Sequence, residues 1–202
     1  MSEPADELAG RETVVFLGDS ITRGGDWAGW FPDLNTVNLG IDGNTTDDLL
    51  QRLDAVAETR PDTVSLMIGT NDFGHRFTVE HVVRNIESVM VQLRRDLPGA
   101  RLLIQSILPR GTDFAERIQD ANRHLRQFAA TVPSQYLDLW PAFDIGGGEL
   151  NPQYTDDGLH LNAAGYEAWL AELRPALERL RDEPPMSRPI QIVAPARPAG
   201  DR

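Results

Sequence analysis

Hydrophobic residues along this chain follow two patterns, short β-branched runs and longer stretches with a 3.6-residue period. The runs Thr13–Gly18, Thr36–Leu39, Thr63–Ile68, Arg101–Ser106 and Gln135–Leu139 predict five strands. Helical periods fall between them. Thr45-Thr46 are good capping residues for a helix running to about Ala57, with Leu49, Leu50, Leu53 and Val56 on one face. Thr78 opens the clearest helix, in which Val82, Val83, Ile86, Val89, Met90 and Leu93 recur until Pro98-Gly99 ends it. A third spans Phe114–Thr131. The last begins after Asn162, with Tyr166, Trp169, Leu170, Leu173, Leu177 and Leu180 as its apolar stripe, and Pro175 is expected to kink or split it.

Strand and helix alternate strictly, which predicts an α/β fold: a parallel sheet covered on both faces, a three-layer α/β/α sandwich. Right-handed crossovers and five strands suggest the flavodoxin-like order 2-1-3-4-5, with strands one and three flanking the switch point where ligands bind. The domain is expected over residues 1–181, followed by a Pro-rich extension over 182–202. Within that tail, Ile190-Gln191-Ile192-Val193 is the stretch suited to an added edge strand.

Composition narrows the chemistry. The 202 residues, 41% hydrophobic and 25% charged, fit one soluble globular domain. No apolar run approaches the roughly 20 residues of a membrane span. The acidic segment Met1–Gly10 lacks the features of a secretory signal, so cytoplasmic residence is expected. Cysteine is absent, which excludes disulfides, thiolate catalysis and Cys-based zinc sites. A net charge of -12 argues against nucleic acid and anionic membranes as partners, leaving neutral or weakly polar small molecules. The 19 basic residues are all arginine; without lysine, Schiff-base chemistry and Ser-Lys dyads are unavailable.

Four polar blocks follow strands and so share one edge of the predicted sheet. They are Gly18-Asp19-Ser20, Asn38-Leu39-Gly40-Ile41-Asp42-Gly43, Gly69-Thr70-Asn71-Asp72 and Asp157-Gly158-Leu159-His160. Each has an ordinary explanation as turn, cap or solvated loop. Together they supply a hydroxyl, a glycine able to expose its N–H, a carboxamide donor, and a carboxylate three residues before a histidine. Acyl transfer requires that inventory.

Those blocks, in that order from about Thr13 to Trp169, resemble the SGNH hydrolases, the GDSL-type esterase and lipase superfamily. Ile21 stands where the eponymous leucine would be, a mild apolar change. The resemblance implies that Ser20 attacks the acyl carbonyl, His160 is the base and Asp157 orients it. It also implies an oxyanion hole made by the N–H groups of Ser20 and Gly40 with the Asn71 amide. The family spacing selects Asp157 over Asp156. No cofactor or metal is expected, and the substrate is a small-molecule ester.

Asp19 and Asp72 are expected to bond loop N–H groups, His75 to lie on the surface, and His81 and His124 to have no role. Trp27 and Phe73 are the aromatics placed nearest the site as substrate contacts. No long apolar insertion separates the motifs, which favours short-chain esters. Within the superfamily, carbohydrate O-acetylesterase and lysophospholipase are the alternatives. Outside it, an α/β-hydrolase lacks its G-x-S-x-G elbow here. A metal-dependent phosphoesterase would recruit Asp19, Asp42, Asn71, Asp72, Asp157 and His160, with only one secure site histidine. An inert binding protein on the same fold would have to keep all four motifs without using them.

Overall fold

A computed structural model describes residues 10–182. In chain order the elements are β1 (Thr13–Gly18), α1 (Ser20–Arg23), α2 (Trp27–Trp30), β2 (Asn35–Gly40), α3 (Thr46–Leu50), α4 (Leu53–Glu58), β3 (Thr63–Met67), α5 (Thr70–Gly74), α6 (Val79–Asp96), β4 (Arg101–Gln105), α7 (Thr112–Ala129), β5 (Gln135–Leu137), α8 (Trp140–Phe143) and α9 (Ala163–Arg181). The strands form one sheet in the order β2-β1-β3-β4-β5, and every neighbouring pair is parallel. The expected topology is the one observed.

Alternate residues of β1, β3 and β4 enter different cores. Val15, Leu17, Val64, Leu66, Leu102 and Ile104 face α3, α4, α6 and α7 through Leu49, Val56, Ile86, Met90, Ile118 and Leu125. Val14, Phe16, Met67, Leu103 and Leu137 face the other layer through Trp27, Phe143, Trp169 and Leu173. Burial on both faces explains why β1 reads as a continuous apolar run rather than an alternating one. The pleat in turn fixes which layer each side chain enters.

Three helical expectations are refined. The segment beginning at Thr45 is capped as expected: the Thr45 hydroxyl accepts from the Asp48 N–H, and the Asp48 carboxylate accepts from the Thr45 N–H. It does not continue to Ala57, because α3 ends at Leu50 and α4 starts at Leu53. Between them the backbone closes with short i→i−3 bonds, Gln51 N–H to Asp48 and Arg52 N–H to Leu49. Pro175 does not split α9. Ala171, whose carbonyl loses its donor to the proline, is on the exposed side of the helix, where water can replace the bond. The one-turn helices α1, α2, α5 and α8 are too short to carry a period and are absent from the sequence reading. Of the extension 182–202, only Asp182 lies within the described residues, so the suggested strand Ile190–Val193 falls outside them.

Candidate active site

The carboxyl ends of β1, β2 and β3 and the loop before α9 meet at one cleft of about 700 Å³, lined by Ser20, Arg23, Gly24, Asp42, Gly43, Asn71, Leu159 and His160. Ser20 is the first residue of α1, one position beyond the strand's turn. Asp19 makes that turn: its buried carboxylate accepts from the Ile21 N–H at 3.0 Å and caps the helix. Burial pushes the Asp19 carboxyl up to about 7, with the neighbouring Asp72 charge adding to the rise.

His160 arrives from the opposite end of the chain. Its loop is closed by a bridge between Thr155 and Leu161, and Asn162 ends it by capping α9 through the Gly165 N–H at 3.1 Å. The Tyr166 hydroxyl, on the first turn of α9, donates to the Ile21 carbonyl of α1 at 2.7 Å. The helices that carry the histidine loop and the serine are thereby tied together. Burial holds the Tyr166 phenol up to about 12, so it stays a neutral donor.

The Ser20 Oγ and His160 Nε2 atoms lie 3.0 Å apart, and His160 Nδ1 lies 2.7 Å from Asp157 Oδ2. The other carboxylate oxygen of Asp157 accepts from the N–H groups of Leu159 at 2.9 Å and His160 at 2.7 Å. The His160 side-chain bond, followed by those two N–H bonds, holds the Asp157 carboxyl well below the usual carboxylate range. Asp156 points elsewhere, accepting from Asn162 Nδ2 at 3.2 Å. An ionised carboxylate facing Nδ1 places the imidazole proton there and leaves Nε2 free as a base toward the serine.

Asn71 sits on α5, and its Nδ2 donates to the Asn44 carbonyl at 2.9 Å. Asp72, next along the helix, turns inward and caps α3, its Oδ1 accepting from the Thr46 N–H at 3.1 Å. Asp19 and Asp72 thus bond main-chain N–H groups, as the sequence suggested. His75 is exposed and outside the cleft, and His81 and His124 lie on α6 and α7.

Three expected site residues are not in the cleft. Gly40 ends β2, and its N–H already donates to Asn38 Oδ1 at 2.9 Å. A Cβ on Gly40 would lie 2.2 Å from the Arg23 backbone nitrogen, so this glycine serves close packing of β2 on α1. Gly43, three residues on, lines the cleft with a φ of +72° and open space where a Cβ would be. Sequence alone offers two glycines in one block and no means of telling which faces the serine. Trp27 is buried and stacked on Phe16 with 3.8 Å between ring centroids, and its Nε1 donates to the Thr22 carbonyl at 2.9 Å. Phe73 is fully buried in the core on the α6 side of the sheet. Their residue types fit a pocket wall and a core equally well, and only packing separates the two.

Among the described residues no group of three His, Cys, Asp or Glu side chains converges to hold a metal ion. The acidic residues a phosphoesterase would recruit are spread between caps, the cleft mouth and the Asp157 loop. Among the same residues no helix is long and apolar enough to cross a membrane.

Comparison with known proteins shows the family. Residues 16–168 match the GDSL-like lipase/acylhydrolase family. The human platelet-activating factor acetylhydrolase IB subunit alpha1 is 31% identical over 186 residues, covering 87% of this chain and 80% of that protein. A GDSL-like lipase of Bacteroides thetaiotaomicron superposes with a TM-score of 0.75 at 25% identity, over 89% of this chain and 92% of that one. An acetylxylan esterase of Geobacillus stearothermophilus shares the fold, with a TM-score of 0.68 at 22% identity over 80% of this chain and 94% of that one. The chain belongs to the GDSL-like lipase/acylhydrolase family and is a hydrolase acting on ester bonds.

Proposed function

We propose that the protein is a serine esterase that cleaves carboxylic esters of short acyl chains through an acyl-enzyme. The observation that carries this reading is the continuous relay Asp157–His160–Ser20, with contacts of 2.7 and 3.0 Å, opening into a cleft beside Asn71. Ser20 Oγ attacks the ester carbonyl as His160 Nε2 takes its proton. The negative charge on the carbonyl oxygen is met by the N–H groups of Ser20 and Gly43 and by the Asn71 carboxamide. Gly43 replaces Gly40 in this set because it faces the cleft and Gly40 does not. Collapse of the intermediate breaks the bond to the alcohol oxygen, which receives the proton from His160. Water, deprotonated by the same imidazole, then attacks the acyl carbon and releases the acid and Ser20.

The cleft supports a small acyl group and a polar alcohol. Among the described residues Leu159 is its one sizeable aliphatic lining residue, and the exposed pair Arg23 and Asp42 bond each other within it. That pair also favours the second reading, an O-acetylated carbohydrate, whose hydroxyls suit charged donors and acceptors. The test is a series of p-nitrophenyl esters from acetyl to octanoyl, together with acetylated sugars, with Ser20→Ala as control. Activity is expected to peak at acetyl or butanoyl, to vanish in Ser20→Ala, to survive chelators and to be lost to a serine-directed phosphonate. Undiminished hydrolysis by Ser20→Ala would remove the proposal.

A further inference from the structure

The break between α3 and α4 leaves Arg52 outside both helices, with its half-buried side chain turned toward the ends of β1 and β2. The guanidinium makes three well-formed hydrogen bonds, each to a different part of the site. One terminal nitrogen donates to the Gly18 carbonyl at 2.9 Å, two residues before Ser20. The other donates to the Leu39 carbonyl at 2.9 Å, at the end of β2. Nε donates to Asn44 Oδ1 at 2.8 Å, and the Asn44 main-chain carbonyl in turn accepts from Asn71 Nδ2. Gly43 is the residue immediately before Asn44.

We infer that Arg52 is a positioning residue of the ester-cleaving reaction, bracing the turn before Ser20 against the loop that carries Gly43 and, through the Asn44 carbonyl, the Asn71 amide. The inference rests on the oxyanion assignment proposed above. Its physical basis is the planar fork of the guanidinium, which sets the directions of its donors rigidly. The guanidinium bonds the Gly18 and Leu39 carbonyls, on neighbouring strands, and the Asn44 side-chain amide of the following loop at the same time. Lysine cannot reproduce this, since an ammonium is a single point on a flexible stem. Oxyanion stabilisation depends on donors fixed before the charge develops, so a small spread of these loops weakens it without removing any donor. Burial lowers the Arg52 pKa from its ordinary value, yet arginine stays charged throughout the working range.

The test measures p-nitrophenyl acetate hydrolysis by Arg52→Met, Arg52→Lys, Asn44→Ala and Asn71→Ala, with Arg52→Met/Asn71→Ala closing a double-mutant cycle. Circular dichroism and thermal melting verify folding. A folded Arg52→Met or Arg52→Lys is expected to lose about 10²-fold in kcat, the scale of one lost oxyanion donor. KM should stay within threefold, because the substrate is still bound. The double variant should fall little below the worse single one, as for groups acting through the same unit. Asn44→Ala, which removes a surface-loop amide, should lower kcat about tenfold even if the arginine variants fail to fold. A kcat within threefold of the parent in Asn44→Ala and in any folded Arg52 variant overturns the inference. So does an effect of Arg52→Met that multiplies fully with Asn71→Ala. Hydrolysis surviving in Ser20→Ala instead removes the underlying reading, whatever Arg52 does.

Discussion

Replacing Asp157 with asparagine exchanges one carboxylate oxygen for an NH₂ group at nearly constant shape. Asp157 Oδ1 accepts two main-chain N–H groups, from Leu159 at 2.9 Å and His160 at 2.7 Å. An asparagine must keep its carbonyl oxygen in that position, since turning its NH₂ toward two donors would forfeit both bonds. Its NH₂ then faces His160 Nδ1, now 2.7 Å from a carboxylate oxygen. A donor there forces the neutral imidazole to carry its proton on Nε2, toward Ser20 Oγ, and the base disappears. Such tautomer inversion costs about 10⁴ in kcat in the serine protease triad, or about 5 kcal/mol at 1.36 kcal/mol per decade. The same order is expected here for p-nitrophenyl acetate turnover at pH 7 to 8. The folded state should change little, because both main-chain bonds survive. Asp156→Asn is the matched control: among the described residues the Asp156 carboxylate accepts from Asn162 Nδ2 and not from His160, so its loss should stay within about threefold. Equal effects of the two substitutions, or a loss at Asp157 under tenfold, would refute the role given to this carboxylate.

Three other outcomes are expected. Asn71→Ala should lose roughly 10²–10³ in kcat with a melting temperature close to that of the parent, so unfolding of this variant would mark Asn71 as a structural cap instead. Gly40→Ala should lower the melting temperature far more than Gly43→Ala, because the first drives a Cβ to 2.2 Å from the Arg23 backbone while the second meets open space at a strained φ. Asp19 binds a proton more tightly when folded, its carboxyl standing at about 7 against 3.8. Between those pH values the folded state holds a proton the unfolded chain has released, so stability falls as pH rises, by on the order of 4 kcal/mol across the interval. Asp19→Asn keeps the oxygen that caps Ile21 and should flatten the melting temperature between pH 4 and 7; an unchanged pH slope would show that Asp19 is not its source.

The sequence by itself determined the sheet and the chemistry delivered to its edge. Runs such as Val14–Leu17 admit little but a strand buried on both faces, and their alternation with the α6 and α9 periods admits little but a parallel sheet. A parallel sheet places every strand's carboxyl end on one side, so Ser20, Asn71 and the Asp157–His160 loop are legible from sequence as residues of one sheet edge. Asp157 was separable from Asp156 in sequence only through the Asp-x-x-His spacing of the family the chain resembles; the contacts of the two carboxylates are read from the fold. Tertiary structure decided what local pattern leaves degenerate. Gly40 and Gly43 share one block and one residue type, and only the close approach of β2 to α1 shows which is packed and which faces the cleft. Trp27 and Phe73 carry the same apolar surface whether they line a pocket or a core, and their burial assigned them to the core. Arg52 carries no local signal at all: it resembles any polar residue on a helix face. Its three acceptors lie 34, 13 and 8 residues away in sequence and come within reach of one guanidinium only when the chain folds.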